Sequence, residues 1–198
     1  MLKQFARQVT DAQEQNLGRF LAPGDLAAPE AAKSAVDLAL INHYHNCRLW
    51  KEEDLARRTA VAASEIVANK RAIDRFNQAR NDAVERLDEY LITQFDFSGS
   101  ASVQHSETPG AIVDRLSILS LKKYHMYQQT QRQDIGDDKR GEMNTRLELL
   151  RQQHRDLSEC LQYLLDNCAV GSSSFRLYRQ LKMYNDPQYK MRCAPETT

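Results

Sequence analysis

The stretch "EMNTRLELLRQQHRDLSECLQYLLDNCAVG", Glu142 to Gly171, decides the fold. Met143, Leu147, Leu150, His154, Leu157, Leu161, Leu164 and Cys168 recur at alternating steps of four and three. That is an apolar seam of period about 3.5, the pattern that packs bundle helices against one another at shallow angles. Gly171 is placed to stop the helix, at or just past its C′ position. Such a seam can serve either an intramolecular core or a homodimer.

The rest of the chain has the same character. Its 198 residues suffice for one domain with a core, only 7 Gly and 5 Pro interrupt it, and no strand-like alternation occurs. The expected fold is all-α: a single-domain bundle of five to six helices. A first helix is expected over Leu2 to Phe20, and a second opens with Pro29 in its first turn and runs to about Arg58. Ser64 is expected to cap a third, reaching about Gln94. A small-residue linker, Asp96 to Ser106, precedes a fourth helix capped by Thr108 and opened by Pro109. Residues 133–141 form the turn into the seam helix. Ser172 to Ser174 then cap a short sixth helix with Phe175, Leu177, Tyr178 and Leu181, ahead of a loose tail from Asp186.

Composition removes some function classes. Basic and acidic residues balance at 27 each, which argues against general nucleic-acid binding, a task that needs a basic face. No run approaches the ~20 apolar residues of a membrane span. The amphipathic start "MLKQFARQVTDAQEQ" lacks the apolar run of a secretion signal. Cys47, Cys160, Cys168 and Cys193 contain no C-x-x-C pair and are expected as buried free thiols in a reducing compartment, hence a cytoplasmic location.

Three helical faces carry polar groups unlike ordinary solvated surface. In "NHYHNCRLWKEEDLARR" (residues 42–58), His43, Asn46, Trp50, Glu53, Asp54 and Arg57 lie along one face, partly within the apolar stripe. The plain alternative is a core-edge Trp beside surface charges such as Glu53 with Arg57. In "KRAIDRFNQARNDAVERLD" (residues 70–88), Lys70, Asp74, Asn77, Asn81, Glu85 and Asp88 recur in register. Asn and Asp compete for backbone hydrogen bonds inside helices, so this row needs a reason: a ligand, or a network that fixes helix register. In "ETPGAIVDRLSILSLKKYHM" (residues 107–126), Asp114, Ile118, Leu121 and His125 share one stripe, and Arg115, Leu119, Lys122 and Met126 its neighbour. The fourth helix is therefore expected to close a polar pocket against the second and third, or to pair its charges across a core seam.

These three motifs, in this order, resemble the uncharacterised bacterial family catalogued as domain of unknown function 4254. The resemblance covers about residues 40–127. It implies an all-helical cytoplasmic protein and assigns no activity.

The chemistry of the polar faces suggests a small anionic ligand, a nucleotide-sugar or sugar phosphate. Arg57, Arg115 and Lys122 would hold the anion and Trp50 would stack on a ring. Asn77 and Asn81 would read hydroxyl groups and Asn46 would join the ligand-binding set, with Asp74, Asp114 and Glu53 orienting the basic side chains or holding a metal. His43 and His125 are the candidate proton carriers near neutral pH. The enzymatic alternative is a magnesium-dependent all-α nucleotide pyrophosphohydrolase. Glu53, Asp54, Glu85 and Asp88 would hold its divalent cation, although Ala56 stands where a second E-x-x-E carboxylate is needed. A non-enzymatic interaction module is the third class.

Overall fold

The computed structural model describes residues 2–22, 24, 29, 32–95 and 103–179. A 3₁₀ turn, Leu2–Gln4, leads into α1 (Phe5–Leu21); then follow α2 (Ala35–Ala56), α3 (Ala63–Phe95), α4 (Pro109–Thr130) and α5 (Asp137–Ala169). The two strands are two-residue pieces: β1 (Val103–Gln104) pairs in parallel with β2 (Ser173–Ser174). The bundle is all-α, as the seam predicts. α2 and α3 form one long hairpin, α4 and α5 another, and α1 packs on α2, α4 and α5.

α2 is the central helix. All but one residue of Ile41–Arg48 are buried, three of them Asn42, His43 and Asn46. Over this stretch the helix shows little amphipathicity, because it has no solvent face to mark. The apolar core divides along its length. One cluster joins Phe5 and Val9, Leu38, Leu87 and Leu91, Ile112 and Leu116, Leu161 and Leu165. The other joins Leu17 and Phe20, Tyr44 and Cys47, and Leu121, with Trp50 packed at its edge. The seam of α5 turns inward: Leu147, His154, Leu161, Leu164 and Cys168 are buried, and Met143, Leu150 and Leu157 half-buried.

Several boundaries differ from expectation. α2 begins at Ala35, not in the turn after Pro29. Ser34 caps it by accepting from the Asp37 N–H at 3.2 Å, and Asp37 Oδ2 in turn accepts from Ser34 Oγ (2.9 Å) and the Lys33 N–H (3.0 Å). This reciprocal cap satisfies donors that a proline could only omit. α3 begins at Ala63, so Ser64 lies within its first turn. Thr108 and Pro109 open α4 as expected, Thr108 Oγ1 accepting from the Ala111 N–H. α5 starts at Asp137, inside the expected turn.

The expected sixth helix is absent over its described part. Gly171, at φ +72°, ends α5 with bonds from the Gly171 N–H to Cys168 (3.1 Å) and from the Ser172 N–H to Asn167 (3.0 Å). The chain then leaves extended: Ser173–Ser174 pair with β1, which commits their backbone groups to the ladder instead of a helix, and Phe175 is buried in the core. Leu181, Cys193 and the tail from Asp186 lie outside the described residues, as does most of the expected 96–106 linker. Cys47 and Cys168 are buried free thiols, but Cys160 is exposed.

Gly110 is a point of close approach. A Cβ there would sit 2.7 Å from the Val84 carbonyl oxygen and 2.8 Å from Asp88 Oδ2. Asp88, buried, accepts from the Gly110 N–H at 2.6 Å and so caps α4 from α3. Gly18 in α1 has nothing near its Cβ position. Gly110→Ala should therefore lose roughly 1–3 kcal/mol, and Gly18→Ala should gain roughly 0.5–1 kcal/mol by removing helix-interior glycine entropy. Urea unfolding midpoints of the two variants check both signs.

Candidate functional site

Between the two apolar clusters lies a polar layer built around Asp114. Its Oδ1 accepts from Asn42 (2.9 Å), Asn46 (2.9 Å) and Arg80 Nε (2.7 Å), and its Oδ2 accepts from Arg80 Nη2. Burial alone would raise the Asp114 carboxyl. The hydrogen bonds and charge of Arg80, helped by Asn42 and Asn46, outweigh it and hold the group below the usual carboxylate range. Asn46 also donates to Ser117 Oγ at 3.0 Å, and Ser117 Oγ lies 2.8 Å from His43 Nδ1. The His43 ring makes a further hydrogen bond to the backbone of Gln13, whose side chain donates to the Val113 carbonyl at 3.3 Å. With Asn46 donating to Ser117, we assign the Ser117 hydrogen to His43 Nδ1 and the ring proton to Nε2. The Ser117 hydroxyl in the middle of α4 is thereby explained.

Above this layer, α2, α3 and α4 enclose a pocket of about 300 Å³, at the small end of ligand sites. Asn46, Trp50, Glu53, Arg57, Asn77 and Arg80 supply its polar and aromatic lining, and Ile73, Ile118 and Leu121 part of its apolar lining. Arg80 is the organising cation. Asp114 grips it from behind and Asn77 Oδ1 accepts from Nη1 at 3.4 Å, so three of its five N–H groups are used among the described residues. Arg57, two-thirds exposed at the mouth, pairs with Asp54 (2.8 Å) and Glu53 (3.7 Å).

Trp50 stacks on His125 with ring centres 4.6 Å apart and planes 4° from parallel. The pair separates this pocket from a second one of about 440 Å³, which Leu21, Lys51, Asp54, Leu55 and Tyr124 line with Trp50 and His125. His125 Nε2 is buried with no partner among the described residues. Burial lowers the His125 pKa, against the opposing charge of Asp54.

The sequence-predicted residues thus separate into groups. The pocket gathers Asn46, Trp50, Glu53, Arg57 and Asn77, with Asp114 and His43 beneath it. His43 is fully buried, and its pKa is pushed down to about 4 by burial, so it stays neutral and out of reach of a ligand in the pocket. Asp74 is exposed and paired with Lys70, and Asn81 is half-buried outside the lining. Arg115 pairs with Glu107 and, with Lys122, faces a groove between α4 and α5. Arg115 follows Asp114 by one residue, about 100° around the helix, and that rotation carries it away from α2 to the α5 side of α4. Among the described residues no three His, Cys, Asp or Glu side chains group closely enough to hold a metal ion. Asp88, one of the four carboxylates considered for a divalent cation, is committed to the Gly110 N–H, and burial raises it to about 6. Cys47 Sγ sits 3.7 Å from His43 Nε2, but burial pushes this thiol up to about 12, which removes its nucleophilic and metal-binding form. Sequence reasoning missed Asn42 and took Arg80 only as one of several basic residues bordering the polar faces in an anion-recognition reading, not as the partner of Asp114. The signal was present: Arg80 follows Ile73 and Asn77 on one helical stripe.

The sequence signature of a family described as protein of unknown function, DUF4254, matches residues 36–177. The chain belongs to this family. Every residue lining the α2–α3–α4 pocket falls inside the matched segment, as do Asp114 and Ser117. A larger cleft of about 630 Å³, where Ser120 Oγ meets His154 Nε2 at 3.2 Å, needs α1, which lies outside the segment shared with DUF4254. No curated protein and no solved structure matches this DUF4254 chain. Among the described residues no helix is long and apolar enough to cross a membrane.

Removing the hub carboxylate should be severe. Asp114→Ala leaves a partly buried guanidinium and two buried amides without their acceptor, and should cost about 3–5 kcal/mol in denaturant unfolding. Acid should weaken the fold for a related reason. His43 and His154 are both held at about 4, below their ordinary 6.5, so the unfolded chain takes up protons first. Their contribution is complete above pH 6.5 and is lost as pH falls toward 4, at roughly 1.4 kcal/mol per pKa unit and residue. Asp88, raised, contributes with the opposite sign. The net fall between pH 6.5 and 4 should be shallower in His154→Gln, measured by urea midpoints across that range.

Proposed function

We propose that the protein binds a small anionic ligand, a sugar phosphate or nucleotide-sugar, in the α2–α3–α4 pocket. The observation that carries this reading is the placing of Arg80. A cation clamped by a buried carboxylate and a neighbouring amide, with N–H groups left over at the wall of a pocket, is a preorganised hydrogen-bond donor whose rotamer entropy is already lost. Arg80 and Asp114 neutralise one another, so this wall suits hydroxyl or phosphoryl oxygens. Asn46 and Asn77 add amide groups, Trp50 offers an apolar surface for a ring, and Glu53 can accept from hydroxyls. The positive charge for an anion comes from Arg57 at the mouth, where displacing its exposed pairs with Asp54 and Glu53 costs little.

The single tryptophan of the chain lies in this wall, so its emission reports occupancy directly. Titration with hexose 1-phosphates should change Trp50 fluorescence saturably and raise the melting temperature. A ligand at 100 times its Kd adds about 2.7 kcal/mol. Arg57→Ala should weaken binding about tenfold and remove most of its salt dependence, whereas Asn77→Ala should weaken it with the salt dependence intact. Unchanged fluorescence and melting across sugar phosphates and nucleotide-sugars would refute the proposal.

A further inference from the structure

The pocket is one half of a pair. Trp50 lines both hollows, and the rims meet at one ion pair: Arg57 borders the α2–α3–α4 pocket, Asp54 borders the neighbouring one, and the two side chains bond at 2.8 Å. The chemistry of the halves differs. The first is lined by Arg80, Asn46, Asn77 and Glu53, groups that match a polyol edge. The second is mostly apolar, with Leu21, Leu55, Tyr124 and the Trp50–His125 stack, and few polar groups, Lys51 and Asp54 among them. Aromatic and aliphatic walls with few polar contacts suit a planar heterocycle, since every base has an apolar face to pack on them.

At the shared rim Lys51 and Arg57 flank Asp54 at the C-terminal end of α2, with Glu53 beside them, and these two are the cations an anion meets there once the Arg57–Asp54 pair opens.

Resting on the binding reading above, we propose that the two hollows form one bipartite site whose ligand is a nucleoside diphosphate sugar. The glycosyl group occupies the α2–α3–α4 pocket and the base the Leu21–Tyr124 pocket. The diphosphate crosses the rim on Arg57 and Lys51, displacing Asp54 from its ion pair. Trp50 is the partition between the halves, held upright by His125.

Isothermal titration of the full chain with UDP-glucose, ADP-glucose and GDP-mannose, each beside its sugar 1-phosphate and its nucleoside diphosphate, tests this. At least one nucleotide-sugar should bind ten-fold or more tighter than its sugar 1-phosphate. Tyr124→Ala should abolish that advantage and leave sugar 1-phosphate affinity unchanged. Because Tyr124 packs at the edge of the core, Lys51→Glu on the rim is the second variant, and it should weaken nucleotide-sugar and nucleoside diphosphate binding while leaving sugar 1-phosphate affinity unchanged. Equal affinity for sugar 1-phosphate and nucleotide-sugar, or an advantage that survives both substitutions, overturns the bipartite site while the sugar-phosphate reading stands. No binding by any of these ligands overturns both.

Discussion

A carboxylate buried where three helices meet has to be neutralised inside the protein, and the surroundings of Asp114 follow from that need. One guanidinium supplies the charge and two bonds, and two asparagines complete the acceptor's demand. Each partner comes from a different turn or helix, so satisfying the carboxylate fixes the rotation of α2, the register of α3 and the depth of α4 together. A buried pair of this kind is a poor source of net stability compared with apolar packing, but breaking it is expensive. Its value here is geometric: it holds Arg80 with its outer donors at the wall of a hollow.

The same layer explains why the core is split. Asn42, His43, Asn46 and Ser117, buried away from bulk solvent, pair with one another and with Asp114, and apolar side chains close over them at both ends. The pocket exists because the layer has one side that the apolar clusters do not cover. Trp50 stands at that edge, packed on His125 rather than buried, and divides the opening in two.

Much of this was legible in the sequence, and for a physical reason. Period-3.5 spacing in α5 and the Thr108–Pro109 entry to α4 are local signals, and both hold in the structure. The rows of Asn, Asp and Arg on α2, α3 and α4 announced polar faces, and five of the residues singled out, Asn46, Trp50, Glu53, Arg57 and Asn77, line one pocket. What failed depended on rotation about helix axes or on distant contacts. Arg115 looked as suitable as Asp114, yet neighbours in a helix point to different faces, and only the Asp114 face meets α2. Pro29 was a conspicuous start signal, while the Ser34–Asp37 cap that begins α2 is quieter and energetically better. Phe175 reads as helical from its neighbours, but its burial and the pairing of Ser173 and Ser174 with a segment seventy residues earlier pull it into extended chain.

The lone hydrogen on Gly110 has a longer reach than its size suggests. α3 and α4 run in opposite directions, touching backbone to side-chain-free backbone at Val84 and Gly110, spanned by the Arg80–Asp114 clamp further along, and leaving a hollow by Asn77 and Ile118. The closeness that Gly110 permits thus sets the spacing of α3 and α4 from which the hollow begins about two turns further on, beyond the clamp.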